Sequence, residues 1–154
     1  MRLALYQPDI PQNTGTILRL AACLSTPVDI IGPAGFDMSD RNLRRAGLDY
    51  LDHVDLTRHL SWERFHEAHI RAGLRRLVLL SSKAAVRLPD FTFSECDTLI
   101  LGRESAGVPE DVRAACDAAV VIPMRPPLRS LNVAVAAALV LGEALRQTSG
   151  FPPA

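Results

Sequence analysis

Residues Ile122 to Gln147 read IPMRPPLRSLNVAVAAALVLGEALRQ: a strand end, a break at Pro126 and Pro127, a turn through Arg129 and Ser130, then a helix apolar on nearly every side. Surface helices are amphipathic, so one that is apolar all round is expected to be buried in protein or lipid. From Leu131 to Leu141 only Asn132 is polar, and such a run is about half of the roughly 20 apolar residues that span a bilayer. A helix buried in protein follows, with Arg129, Ser130 and Asn132 at its lip. There the first helical N–H groups, which have no partner inside the helix, are expected to receive a ligand's oxygens.

Upstream of this helix, short apolar runs recur at Leu3–Tyr6, Val28–Ile31, Leu77–Leu80, Thr98–Leu101 and Ala119–Ile122. Most are apolar on successive residues, the pattern of strands covered on both faces in a parallel sheet. Helical patterns lie between and beyond them at about Thr14–Leu24, Asp40–Ala46, Trp62–Arg71, Glu110–Cys116 and Ser130–Gln147. The alternation predicts an α/β fold, a mostly parallel sheet with helices on both faces. Ser61 is placed to cap the helix of Trp62, Phe65 and Ile70, which are expected to be its core face. One domain over 1–150 with a short tail at 151–154 fits a chain of 154 residues.

The chain is 48% hydrophobic and 22% charged, with a formal net charge of zero, so no global field draws it to nucleic acid and any such role must rest on local patches. Its basic residues are almost all Arg, with Lys83 the single Lys, a bias that suits bidentate phosphate recognition and that codon usage explains equally well. The beginning LALYQPDIPQNTG lacks the basic and apolar regions of a signal peptide, so a cytoplasmic chain is expected. Cys23, Cys96 and Cys116 are odd in number and widely spaced, which predicts inert core thiols with neither a disulfide framework nor a metal site.

Three further stretches carry polar residues in places where chemistry could occur. Pro8–Arg19 follows the first strand, at the sheet edge where open parallel sheets bind ligands. Asn13 is placed to cap the next helix, Gly15 to allow close approach of another backbone, and Arg19 to lie a turn further on. As residues alone, Arg19 is equally a solvated helix charge. Thr98–Pro109 is a buried strand opening into a loop bracketed by Gly102 and Gly107. It has neither the GxGxxG nor the P-loop spacing, nor the GxSxG of a nucleophile elbow. Glu104 within it could equally pair with Arg103 or cap a backbone amide. Finally, Arg41, Arg44 and Arg45 are spaced to share one helix face. Such a stripe serves phosphate contacts, although Asp37, Asp40, Asp49 and Asp52 nearby fit an ordinary ion-paired surface as well.

Together, PQNTGTILRL, LILGRESAGVP and IPMRPPLRSLNVAVAAALVLGEALRQ resemble the three ordered motifs of the SPOUT class of RNA methyltransferases. FDMSDRNLRRAGLDY, with the TRH and LSSK segments, resembles its small bacterial members that methylate a ribose hydroxyl at the wobble nucleotide of tRNA. The resemblance implies a C-terminal trefoil knot, S-adenosylmethionine as cofactor, a homodimer with shared active sites, and the tRNA anticodon stem-loop, of leucine tRNAs, as substrate. It implies no metal and no membrane. It points to Arg19 as the catalytic residue, to Leu80, Gly102, Ile122, Met124, Ser130 and Leu131 as cofactor residues, and to Asn13, Arg41, Arg44 and Arg45 as RNA contacts. Glu104 and Asn132 would hold the second-motif loop and the helix start in shape. The chain departs from the family in its last helix, where Ala134 and Val135 replace a usual Ser-Asn and Gly142 a frequent Tyr. The residues by themselves leave open a non-catalytic α/β module that binds nucleotide or RNA.

Overall fold

In a computed structural model, which describes residues 1–39, 50–73 and 76–153, seven strands make one sheet. They are β1 Arg2–Tyr6, β2 Val28–Ile31, β3 Leu56–His59, β4 Arg76–Leu80, β5 Val86–Arg87, β6 Asp97–Leu101 and β7 Ala118–Val121. Their order across the sheet is β3-β2-β1-β6-β4-β7-β5, and all six pairings are parallel. The described α-helices are α1 Pro11–Cys23, α2 Trp62–Arg71, α3 Glu110–Ala114 and α4 Val133–Thr148. The helix expected at Asp40–Ala46, with Arg41, Arg44 and Arg45, lies outside the described residues.

Alternate residues of the central strands feed two cores. Leu3, Leu5, Val28, Ile30, Leu99 and Leu101 pack with Ile17, Leu18 and Ala21 of α1 and with Ala137, Val140, Leu141 and Ala144 of α4. Ala4, Tyr6, Ile31, Leu79 and Ile100 pack with Trp62 and Phe65 of α2 and Val112 of α3. Helices therefore cover both faces, which is why the central strands are apolar on consecutive residues. The two strands that sequence periodicity missed, β3 and β5, are the sheet's edges. Neither is covered on both faces, so neither carries the continuous apolar signal; β5 is only two exposed residues. A side-chain contact holds β3 in place: His59 Nε2 lies 2.7 Å from Oδ1 of the buried Asp29, which also accepts a 2.8 Å bond from Arg2 Nε.

Several local expectations are corrected. Helix α1 begins at Pro11 with Ile10 as its N-cap, so Asn13 sits inside the first turn and caps nothing; proline is well suited to that first position because its missing N–H would be unpaired anyway. In α2, Ser61 caps the helix by accepting from Arg64 N–H, but Ile70 is 64% exposed and His69 joins Trp62 and Phe65 on the buried side. Cys23 is exposed, since it is the last residue of α1, and only Cys96 and Cys116 are half-buried. Helix α4 is covered on one side only: Leu131, just before it, and Val135 and Leu139 within it are 41%, 49% and 47% exposed.

Candidate active site

Parallel strands all end at the same edge, so the loops after β1, β4, β6 and β7 converge there, beside the point where strand order reverses. Between the ends of β4, β6 and β7 lies a cavity of about 390 Å³, within the range of small-molecule sites. Leu80, Gly102, Ile122, Met124, Ser130 and Leu131, the six residues expected to hold a cofactor, all line it. Ser130 and Leu131 reach it because α4 starts later than periodicity suggested, at Val133, which leaves both in the preceding loop.

The second-motif loop closes on itself. Arg103 and Gly107 exchange two backbone hydrogen bonds of 2.9 and 2.8 Å, and Gly107 adopts φ +70°, a conformation that favours glycine. A Cβ on Gly102 would lie 2.7 Å from the carbonyl carbon of Gly107. The glycine at 102 is therefore required by the loop's own backbone, before any ligand arrives.

Five side chains knit the three motifs together. Asp9 N–H donates to Glu104 Oε2 at 3.1 Å and Glu104 N–H donates back to Asp9 Oδ1 at 3.2 Å. Ser105 Oγ also donates to Asp9. Asn13 Nδ2 donates to Glu104 Oε1 at 3.2 Å, and Asn132 Nδ2 donates to Asn13 Oδ1 at 2.9 Å. Asn132 Oδ1 in turn caps α4, accepting from Ala134 and Val135 N–H at 2.9 and 3.4 Å. This narrows the expectation of free helix amides, since the Asn132 side chain already occupies those of Ala134 and Val135. Asn13, expected to meet RNA, commits both ends of its amide to Glu104 and Asn132. The carboxyl pair is asymmetric. Interaction with the Glu104 side chain, then with Ser105, holds Asp9 down to about 2, whereas burial, then the neighbouring Asp9 carboxylate, raises Glu104 above its usual value.

Arg19 does not line the cavity. It is exposed on α1, with its guanidinium carbon 4.7 Å from the centre of the Tyr50 ring, a cation–π stack. Sequence reasoning missed Ser81, Lys83 and Arg113, which add polar groups to the cavity wall; Arg113 Nη2 donates to Ser81 Oγ at 3.0 Å. The signal available for them was the LSSK segment, but Arg113 sits on a short helix remote in sequence and only the fold brings it near. Among the described residues, no group of three or more His, Cys, Asp or Glu is placed to hold a metal ion, and no helix is long and apolar enough to cross a membrane.

The model of the SpoU rRNA Methylase family matches residues 1–142. The chain is 67% identical to a protein of Beijerinckia indica named tRNA (cytidine(34)-2'-O)-methyltransferase, over 97% of this chain and 92% of that one. A solved structure described as giving insights into the 2-OH methylation of C/U34 on tRNA superposes with a TM-score of 0.89 at 46% identity, covering 97% of this chain and 96% of that one. The SpoU methyltransferase AviRb of Streptomyces viridochromogenes, in complex with AdoMet, superposes with a TM-score of 0.84 at 32% identity, over 96% of this chain and 60% of that one.

Proposed function

The chain belongs to the SpoU rRNA methylase family, and on that premise we propose that it transfers a methyl group from S-adenosylmethionine to the ribose 2′-hydroxyl of the wobble nucleotide of tRNA. The observation that carries this reading is a cavity at the ends of β4, β6 and β7 that is lined by residues from separate motifs. The cavity fits the cofactor in size, and its lining of Leu, Ile, Met and glycine backbone suits a ligand held through main-chain groups and apolar contact. When bound, the cofactor supplies an electrophilic methyl on a positively charged sulfur.

The protein's own work is alignment and charge. A ribose hydroxyl is a poor nucleophile at neutral pH, so it has to be held in line with the methyl group and its developing negative charge stabilised. Arg19 is too basic to accept the proton; its role is to orient the substrate's phosphate and hydroxyl and to stabilise that charge. The Asp9–Glu104–Asn13–Asn132 chain keeps the second-motif loop and the start of α4 in register around the cavity. RNA contact is assigned to Arg41, Arg44 and Arg45, and to Asn13 only indirectly, through this chain.

Arg19 lies outside the cavity of its own chain, which supports a homodimer in which each site is completed across the interface. The exposed apolar stripe of Leu131, Val135 and Leu139 is the surface proposed for that contact. The C-terminal trefoil knot and a cytoplasmic location belong to the same proposal. Leucine tRNAs are the substrates to try first.

The test is to incubate the purified protein with S-adenosylmethionine and tRNA, then locate the product by nuclease digestion and mass spectrometry. One methyl on the wobble ribose is expected. Methylation of a base, or no methylation and no cofactor binding at millimolar concentration by folded protein, would overturn the reading.

A further inference from the structure

A second cavity, of about 460 Å³, lies within the segment 124–131 between β7 and α4. Met124, Ser130 and Leu131 line both cavities, so the two share a wall. The second is flanked by Arg125 and Arg129, with Pro127 and Leu128 beside them. Both arginines are exposed, and neither side chain makes a hydrogen bond or ion pair with a described residue. They differ in this from Arg2, Arg64, Arg76, Arg87, Arg103 and Arg146, each of which is paired with a carboxylate. The reason is in the chain: from Ala118 to Gly142 there is no Asp or Glu. In a protein of zero net charge, this is a local positive patch with no partner among the described residues.

The placement of the patch limits what it can bind. Leu128 N–H closes a turn on Arg125 C=O at 3.0 Å, Pro126 and Pro127 restrict the backbone within it, and both arginines line the second cavity. A guanidinium fork matches phosphate oxygens two at a time, and the apolar Leu128 and Pro127 beside it suit a sugar or base face. The wall shared with the first cavity is where a methyl group would pass to its acceptor, because reacting atoms must stand about 3–3.5 Å apart. We propose that the second cavity seats the acceptor nucleotide, with Arg125 and Arg129 gripping the phosphodiesters on either side of the ribose to be methylated. This rests on the methyl-transfer reading above and assigns its substrate contacts to residues outside the expected set.

The test uses an anticodon stem-loop RNA, unmodified or with one uncharged methylphosphonate placed 5′ or 3′ of the wobble ribose, and the variants Arg125→Ala, Arg129→Ala, Arg125→Lys and Arg129→Lys. Binding is measured by fluorescence anisotropy over a salt series, cofactor affinity by calorimetry and methyl transfer in single turnover. Each Ala variant should weaken RNA binding by about tenfold or more and flatten the salt slope by about one; the Lys variants, which keep the charge but not the fork, should recover part of the loss. Cofactor affinity and melting temperature should not change. Neutralising one of the two phosphates should cost the wild type affinity but cost nothing further in the variant that lacks its arginine, a coupling that a structural role cannot produce. Additive losses, unchanged RNA binding, or a loss confined to cofactor affinity would each overturn the proposal. If the wild type binds the RNA but methylates no ribose, the methyl-transfer reading fails, while the phosphate coupling still decides the assignment of the two arginines.

Discussion

Arg19 shows how little a residue's type says about its task. On α1 it stacks over Tyr50 and does not line the cavity at the strand ends, so its position alone does not distinguish it from a surface charge. Because it stands apart from that cavity, Arg19→Ala is expected to slow methyl transfer on the order of 100- to 1,000-fold while leaving cofactor affinity nearly unchanged. Single-turnover assays and calorimetry read the two separately. His69 gives the pH prediction. Its ring is buried on α2 with Nδ1 unpartnered, and burial, then His66, lowers its affinity for a proton, against the opposing pull of Asp117 and Asp29. The folded state thus favours neutral His69. Its contribution to stability is complete above the unfolded value of roughly 6.5 and is lost as pH falls below that value and through the lower folded one. Urea midpoints should therefore fall between pH 7 and pH 5. His69→Phe, which removes both the titration and the unpaired nitrogen, should flatten this part of the profile and add on the order of 1 kcal/mol at neutral pH.

At the scale of elements, the loop after β6 and the start of α4 are the parts whose shape the site depends on. Gly102 meets the Gly107 backbone so closely that a methyl group has nowhere to go. Gly102→Ala is expected to distort the loop, lower cofactor affinity at least tenfold and lower the melting temperature by roughly 2–4 °C for each kcal/mol lost; a loop that merely made room for the ligand would lose affinity without stability. Scanning calorimetry with and without cofactor checks both. The edge strands teach a related point. Leu56–His59 pairs in full register with β2, yet only two of its four residues are even half-buried, so its pairing comes from the neighbouring strand and the His59–Asp29 contact more than from its own composition.

At the scale of the molecule, α4 is apolar on more sides than one chain covers. Ala137, Val140, Leu141 and Ala144 face the core, while Val135 and Leu139 do not. Exposed apolar stripes on a soluble domain mark contact surfaces, and a two-fold pair of helices satisfies such a stripe with a copy of itself. The double variant Val135→Glu, Leu139→Glu should therefore be a folded monomer by light scattering, still bind cofactor, and lose methyl transfer because Arg19 no longer reaches the other protomer's cavity. An active monomer, wild type or variant, would contradict the shared site.

Sequence alone was sufficient for whatever depends on local period and local chemistry. The five inner strands declare themselves because both of their faces are covered, and Ser61, Pro127 and the paired glycines of the second motif mark their turns by what their backbones permit. Leu80, Gly102, Ile122, Met124, Ser130 and Leu131 were singled out through ordered motifs, and the structure places all six on one cavity. What depends on contact between distant residues was not legible. No periodicity links Asp9 to Glu104 or Asn13 to Asn132, residues 95 and 119 positions apart whose hydrogen bonds exist only once β1 and β6 lie side by side. Nor could composition say that α4 is covered on one side only, or that Arg125 and Arg129 find no partner among the described residues beside the cavity at the strand ends. A local sequence specifies which groups are available; only the packing of strands from opposite ends of the chain decides which of them find partners and which remain open to a ligand.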